Sequence, residues 1–223
     1  MSRRASARLF VAAELPAPVR EQLAGWARLA AAAAQPGGAR RSLRLLDPES
    51  LHLTLCFLGS RPVEEIAAIG STLGACAAYV GELSVGAPLW LPRARPRSLA
   101  VAIHEQGGGL ADLHAAVTAA ICQTTGWEPE RRRFRAHITL ARTRGRAGAR
   151  AGGPAGSRRG GKRGERAGGD RISASPSGAG PGLPPTPPLR FTAESLTLYR
   201  SWLSPAGATY EALATCALSP AAM

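Results

Sequence analysis

The segment His52-Leu53-Thr54-Leu55 returns later in the chain as His137-Ile138-Thr139-Leu140. Each segment has the pattern of a β-strand, in which successive side chains point to opposite faces of a sheet. The histidine and the threonine of each segment therefore share one face, and the apolar residues between them point into a core. Two such strands side by side would place two imidazoles and two hydroxyls around one cleft.

The repetition distinguishes these segments from a chance pattern. A single His-x-Thr strand is common and is usually structural. The chain has only four histidines, however, and two of them share this pattern down to the leucine three residues after the histidine. The other two, His104 and His114, have no recurring partner, and we expect them to be structural or surface residues.

Apolar periodicity and turn residues predict alternating strands and helices around the two motifs. We expect helices over residues 16–34, 61–79 and 110–125, and strands over residues 8–14, 51–58, 83–91, 98–103, 135–141, 191–199 and 208–218. Gly59 is expected to end the first motif strand. Each motif strand then has a neighbouring helix and antiparallel neighbours, which indicates an α+β fold of two similar lobes related by a pseudo-twofold axis.

Length and composition favour one globular domain. The chain has 223 residues, of which 45% are hydrophobic, enough for one sizeable core. No apolar run approaches the roughly 20 residues that cross a bilayer. Glu14 and Pro16 interrupt the apolar start too early for a signal peptide. We therefore expect a cytoplasmic protein without a membrane partner.

Residues 143–188 depart from this composition, because they are rich in Gly, Arg, Ser and Pro and nearly free of apolar side chains. Such a segment buries too little surface to offset the entropy of ordering it. It also holds nine of the 28 basic residues of a chain whose formal net charge is +13. We predict a disordered basic insertion in a single domain over residues 1–223. It is either an arginine-rich arm for RNA phosphates or, as we favour, a tolerated loop expansion.

The four cysteines show neither a Cys-x-x-Cys pair nor a metal-like spacing, so we do not expect a structural zinc. Cys56 alone has the strand parity of His52 and Thr54. A reactive thiolate needs a base and electropositive surroundings, and we interpret Cys56 as a small, half-buried hydrophobic residue.

Two histidines and two threonines around one cleft suit the cleavage of a phosphodiester. An imidazole titrates near pH 6.5, so one ring can hold a proton while the other does not. One ring takes a proton from attacking water and the other protonates the departing oxygen, which is worth roughly 10²–10⁴-fold per group. The threonine hydroxyls can donate hydrogen bonds to the non-bridging oxygens. Nothing near the motifs completes a dinuclear metal site, so we expect neither a metal nor a cofactor.

Longer stretches around both motifs carry a resemblance to a known family. Residues 52–59 read HLTLCFLG and residues 134–142 read FRAHITLAR, and residues 8–12, 47–51 and 198–201 fit as well. These stretches resemble the paired signatures of the 2H phosphoesterases, and most closely the RNA 2′,3′-cyclic phosphodiesterases, also called LigT-like 2′-5′ RNA ligases. The resemblance extends over residues 7–142 and 189–218.

The resemblance implies a bilobal α+β fold, with two pseudo-symmetric antiparallel-sheet lobes, outer helices and a central cleft. It also implies hydrolysis of a terminal 2′,3′-cyclic phosphate to a 2′-phosphomonoester. In this chain, His52 would be the general acid that protonates the departing 3′ oxygen. His137 would be the base that activates water.

The same resemblance assigns the groups that hold the substrate. Thr54 and Thr139 would hold the phosphate, Arg142 would bind it as a charged donor, and Phe57 would lie on the base-binding side. Strand periodicity alone gives Arg142 the parity opposite to the second histidine and gives Arg135 the same parity. The preference for Arg142 therefore comes from the resemblance.

The expected partner is RNA with a 2′,3′-cyclic phosphate end, or a cyclic nucleotide, bound by a monomer. Two alternatives remain open. One is 2′-5′ RNA ligation, which is the reverse of the same chemistry and uses the same residues. The other is a binding module that recognises nucleotides or RNA without turnover, although a pure binder does not need two titratable rings.

Overall fold

The computed structural model describes residues 5–34, 43–77, 80–92, 96–130, 132–143, 182–204 and 207–219. These residues form nine strands and three α-helices. In chain order they are β1 (Ser6–Glu14), α1 (Ala17–Ala33), β2 (Leu43–Leu45), β3 (His52–Pro62), α2 (Ile66–Cys76), β4 (Leu83–Leu91), β5 (Ser98–Glu105), α3 (Gly109–Thr125), β6 (His137–Thr143), β7 (Arg190–Phe191), β8 (Ser195–Ser204) and β9 (Gly207–Ala217). None of these helices combines the length and the apolar character needed to cross a membrane.

All strand pairs are antiparallel, and the strands form one sheet in the order β7-β4-β5-β6-β3-β1-β8-β9, with β2 added on β6. The two motif strands β6 and β3 lie at its centre, with Leu53 opposite Ile138. Helices α2 and α3 pack on each other, and α2 also packs on β8 and β9 while α3 packs on β3. Helix α1 packs against β2 and β6. The predicted α+β fold of two antiparallel lobes is confirmed.

The first motif strand is longer than predicted, because Gly59 does not end it. Gly59 adopts φ 71°, a left-handed conformation that glycine adopts without steric cost. The strand continues to Pro62, which pairs with Ser6 of β1. Helix α2 therefore starts at Ile66, several residues later than expected.

Most of the predicted basic insertion lies outside the described residues, since residues 144–181 are not among them. The described ends of that segment pack on the domain. Thr143 belongs to β6, and residues 182–188 run past helix α1. There the indole nitrogen of Trp26 donates a hydrogen bond of 2.8 Å to the carbonyl oxygen of Pro185.

Candidate active site

A cavity of about 490 Å³ opens over the junction of β3 and β6. All six side chains that the sequence singled out line it, namely His52, Thr54, Phe57, His137, Thr139 and Arg142. The cavity also has walls that the sequence did not predict, among them Arg8, Phe10, Leu46, Glu130, Ser201, Leu203 and Tyr210. The two motifs therefore meet at one site, to which other strands add residues.

The register at the junction relates the two motifs by the pseudo-twofold axis. Leu53 and Ile138, the middle residues of the motifs, are paired and fully buried. In an antiparallel pair, the residues on either side of a pair also stand opposite each other. His52 therefore lies across from Thr139, and Thr54 lies across from His137. Each imidazole has the hydroxyl of the other motif as its neighbour.

Each imidazole is held by a hydrogen bond of the same kind. The Nδ1 atom of His52 lies 2.8 Å from the carbonyl oxygen of Ser50, and that of His137 lies 2.7 Å from the carbonyl oxygen of Arg135. Since a carbonyl oxygen can only accept, both Nδ1 atoms carry the proton. Nε2 is then left for chemistry on both rings. It is a base in the neutral ring and an acid in the charged one.

A β-bulge explains why Arg142 reaches the cavity against simple strand parity. Along β6, Thr139 pairs with Ala100, but Ala141 pairs with Leu99, so Leu140 is an extra residue. Leu140 and Ala141 are consecutive and both buried. The bulge turns the next side chain back to the site face, which places Arg142 beside the motif. Arg135, which has the expected parity, does not line the cavity.

The first motif strand contains a β-bulge of the same kind. Thr54 pairs with Ala12 and Cys56 pairs with Val11, so Leu55 is an extra residue in β3. Phe57 thus returns to the site face, five residues after its histidine, as Arg142 does after its own. Strand parity predicts that Cys56 shares the face of His52, and this prediction is wrong. It is buried in the core, and this burial raises the pKa of its thiol to about 12.

The surroundings of the two imidazoles differ. The His52 ring stacks on Phe10, with ring centres 4.9 Å apart, and meets the edge of Tyr210 at 5.3 Å and the ring of Tyr199 at 5.9 Å. Burial lowers the pKa of His52 to about 4, and the positive charges of Arg142 and His137 add to the effect. The carbonyl oxygen of Ser50 acts in the opposite direction. At neutral pH His52 is therefore uncharged in the free protein.

A half-buried carboxyl lies next to this aromatic cluster. Glu14 is paired with His52 in the register of β1 and β3, and its side chain is hydrogen-bonded to Tyr199. Burial raises the pKa of the Glu14 carboxyl and of the Tyr199 hydroxyl. Because the hydroxyl keeps its proton, it donates to the carboxyl and holds the Tyr199 ring against the His52 side of the cluster.

The other two histidines lie away from the cavity. His104 is exposed on β5, and His114 stacks on Phe134 with ring centres 4.2 Å apart. Within the described part of the chain, no three side chains of the His, Cys, Asp or Glu types are grouped so that they could hold a metal ion.

Neither the family models nor the curated proteins include a match to this chain. Solved structures do match. TT0787 of Thermus thermophilus is 25% identical over 95% of this chain and 97% of its own, with a TM-score of 0.66. E. coli LigT complexed with 3′-AMP is 22% identical over 97% and 100%, with a TM-score of 0.64, and a phosphoesterase is 24% identical over 97% and 100%, with a TM-score of 0.65. These likenesses show that the chain has the fold of TT0787, LigT and that phosphoesterase, as the resemblance of its two motifs implies.

Proposed function

We propose that this protein hydrolyses the terminal 2′,3′-cyclic phosphate of RNA to a 2′-phosphomonoester, without a metal ion, by acid-base catalysis with two histidines. One observation carries the proposal. Two imidazoles, each with its Nδ1 proton held by the carbonyl oxygen two residues earlier, face one cavity across the β3–β6 junction. Opposed rings with free Nε2 atoms suit an in-line displacement at phosphorus.

The proposed reaction uses the histidine and the threonine of both motifs together with Arg142. His137 Nε2 takes a proton from water, whose oxygen attacks phosphorus while the bond to the 3′ oxygen breaks. His52 Nε2 gives its proton to that oxygen, which leaves a 3′-hydroxyl and a 2′-phosphate. Thr54 and Thr139 donate hydrogen bonds to the non-bridging oxygens, and the Arg142 guanidinium stabilises the charge that they gain in the transition state.

The acid role of His52 requires a proton that the free protein does not hold at neutral pH, since its pKa is about 4. A bound phosphodiester brings one negative charge next to the ring. That charge offsets the positive charge of Arg142, which helps to lower the pKa. Substrate binding therefore shifts His52 toward its charged form.

This coupling predicts that a bound phosphate raises the pKa of His52. We expect the ring to titrate near pH 4 in the free protein, and about one pH unit or more higher with saturating adenosine 2′-phosphate. The measurement is an NMR titration of the histidine Cε1 protons, with His52→Asn used to assign the resonance. An unchanged titration midpoint in the complex would mean that the phosphate does not lie beside His52.

Arg142 provides a second prediction, and Arg135 is its matched control. Replacing Arg142 by Gln is expected to lower kcat/KM about 10- to 100-fold, since a hydrogen bond between charged groups is lost. Replacing Arg135 by Gln removes the same charge from an exposed side chain outside the cavity, and we expect less than a twofold change. Equal losses in the two variants, measured under identical salt conditions, would show that only general positive charge matters.

The deciding experiment is the hydrolysis of a short RNA that ends in a 2′,3′-cyclic phosphate, in the presence of EDTA. The proposal expects turnover, with a 2′-phosphate identified by ³¹P NMR as the product. A 3′-phosphate product or the absence of turnover contradicts it. Adding an RNA with a 5′-hydroxyl end tests for ligation through a 2′-5′ linkage. Tight binding without turnover would instead support a binding module.

A further inference from the structure

The cavity extends beyond the two motifs toward the start of β1, where it reaches Arg8. The side chain of Arg8 is exposed, and its backbone is held in the sheet between β3 and β8. No ion pair links Arg8 to another residue of the described ranges. A guanidinium that lines a cavity and has no carboxylate partner is available to bind an anion.

The position of Arg8 relative to the motif follows from the register of β1 on β3. Ala12 is paired with Thr54, and Arg8 precedes it by four residues on the same strand. At about 3.3 Å per residue, the two α-carbons are about 13 Å apart. One nucleoside together with the reach of an arginine side chain can span this separation.

An apolar surface occupies the space between these two positions. Phe57 is paired with Phe10, halfway between the levels of Thr54 and Arg8, and the residue is 53% exposed although it is large and apolar. Phe10 packs beneath it, with ring centres 6.1 Å apart. Leu203 on β8 lines the same cavity and is 68% exposed. Exposed rings of this kind serve as stacking surfaces for bases of single-stranded nucleic acid.

Along the cleft, the phosphate site of the two motifs is followed by the exposed ring of Phe57 and then by Arg8. This order matches the terminal cyclic phosphate, the base and the 5′-side phosphate of the last nucleoside in an RNA chain. We propose that Arg8 binds the phosphate on the 5′ side of the terminal nucleoside. This inference rests on the proposed function, and it adds the residue that distinguishes the end of a chain from a cyclic mononucleotide. The protein acts on the end of an RNA chain in preference to a cyclic mononucleotide that has a free 5′-hydroxyl.

The test compares three substrates that differ only on the 5′ side of the reacting nucleotide. They are adenosine 2′,3′-cyclic phosphate, its 5′-phosphorylated form, and the dinucleotide ApA with a 2′,3′-cyclic phosphate end. We expect kcat/KM to be about tenfold or more higher for the last two, as befits a hydrogen bond between charged groups. Arg8→Gln is expected to abolish this preference, so that kcat/KM for the last two substrates falls to the value for the first. Arg28→Gln, an equal change of charge on the exposed face of α1, is expected to retain it.

A binding experiment separates the Arg8 site from the proposed reaction. Calorimetry with adenosine 2′-phosphate and adenosine 2′,5′-bisphosphate does not depend on turnover. A preference for the bisphosphate that Arg8→Gln removes supports the site even if no substrate is hydrolysed, and then only the proposed function fails. Equal affinities for the two ligands, equal kcat/KM for all three substrates, or an Arg8→Gln variant that weakens all of them equally would overturn the Arg8 site.

Discussion

Replacing either His52 or His137 by Asn is expected to lower kcat for a 2′,3′-cyclic phosphate substrate by about 10²–10⁴-fold. Asn removes the titratable Nε2 atom but keeps a side-chain amide donor near the position of Nδ1. The hydrogen bonds to the carbonyl oxygens of Ser50 and Arg135 can therefore persist. The loss then reports on proton transfer more than on the position of the strand. Steady-state kcat and KM, together with circular dichroism of each variant, are the measurements.

His104 offers a control for this pair, because it is exposed on β5 and lies outside the cavity. His104→Asn is expected to change kcat less than twofold. The double variant of His52 and His137 is expected to be little slower than the slower of the two single variants, because an acid and a base that act in one step contribute as a unit. A single variant that kept near-normal turnover would refute the two-histidine mechanism.

The faces of the two motif strands could be predicted from the sequence because strand alternation is a local property. His52 and Thr54 are two residues apart, as are His137 and Thr139, and no knowledge of the neighbouring strands is needed to place each pair on one face. The buried Leu53 and Ile138 then meet at the junction, as expected of apolar residues between them. For the same reason, alternation gave no information on what else surrounds the rings.

The positions of Phe57 and Arg142 could not be predicted from alternation, because a bulge depends on the partner strand. The sequence contained one signal that strict alternation overlooks. Each threonine is followed by two apolar residues, Leu55-Cys56 and Leu140-Ala141. Two buried residues in succession break the period of two, so the side chain after them returns to the first face. The same signal places Cys56 in the core.

The aromatic cluster around His52 could not be predicted from the sequence for another reason. Phe10 comes from β1, Tyr199 from β8 and Tyr210 from β9, so the cluster exists only after strands from both ends of the chain pair. Two similar motifs indicated two similar imidazoles. The burial that distinguishes His52 is a property of the assembled sheet.

That burial predicts how stability depends on pH. The pKa of His52 is lowered from 6.5 to about 4 in the folded protein, so between these values the unfolded chain holds a proton that the folded protein lacks. The stability that His52 contributes is thus complete above pH 6.5 and is lost as the pH falls toward 4. The loss is roughly 3 kcal/mol in the free energy of unfolding. Urea unfolding at pH 7 and at pH 4.5 measures most of it.

His52→Phe isolates this contribution, because a neutral ring replaces a neutral ring among Phe10, Tyr199 and Tyr210. We expect the variant to lose clearly less stability than the wild-type protein between pH 7 and pH 4.5, with a difference of roughly 2 kcal/mol or more. His104→Phe, at an exposed position on β5 outside the cavity, is the control for the substitution itself. Other titrating groups contribute to all three proteins and cancel in the comparison.

If His52→Phe kept the full wild-type slope, then His52 would not be buried as described, and binding would have no lowered pKa to raise. If the slope is reduced, the environment that makes His52 sensitive to a bound phosphate is also what makes the free protein less stable in acid.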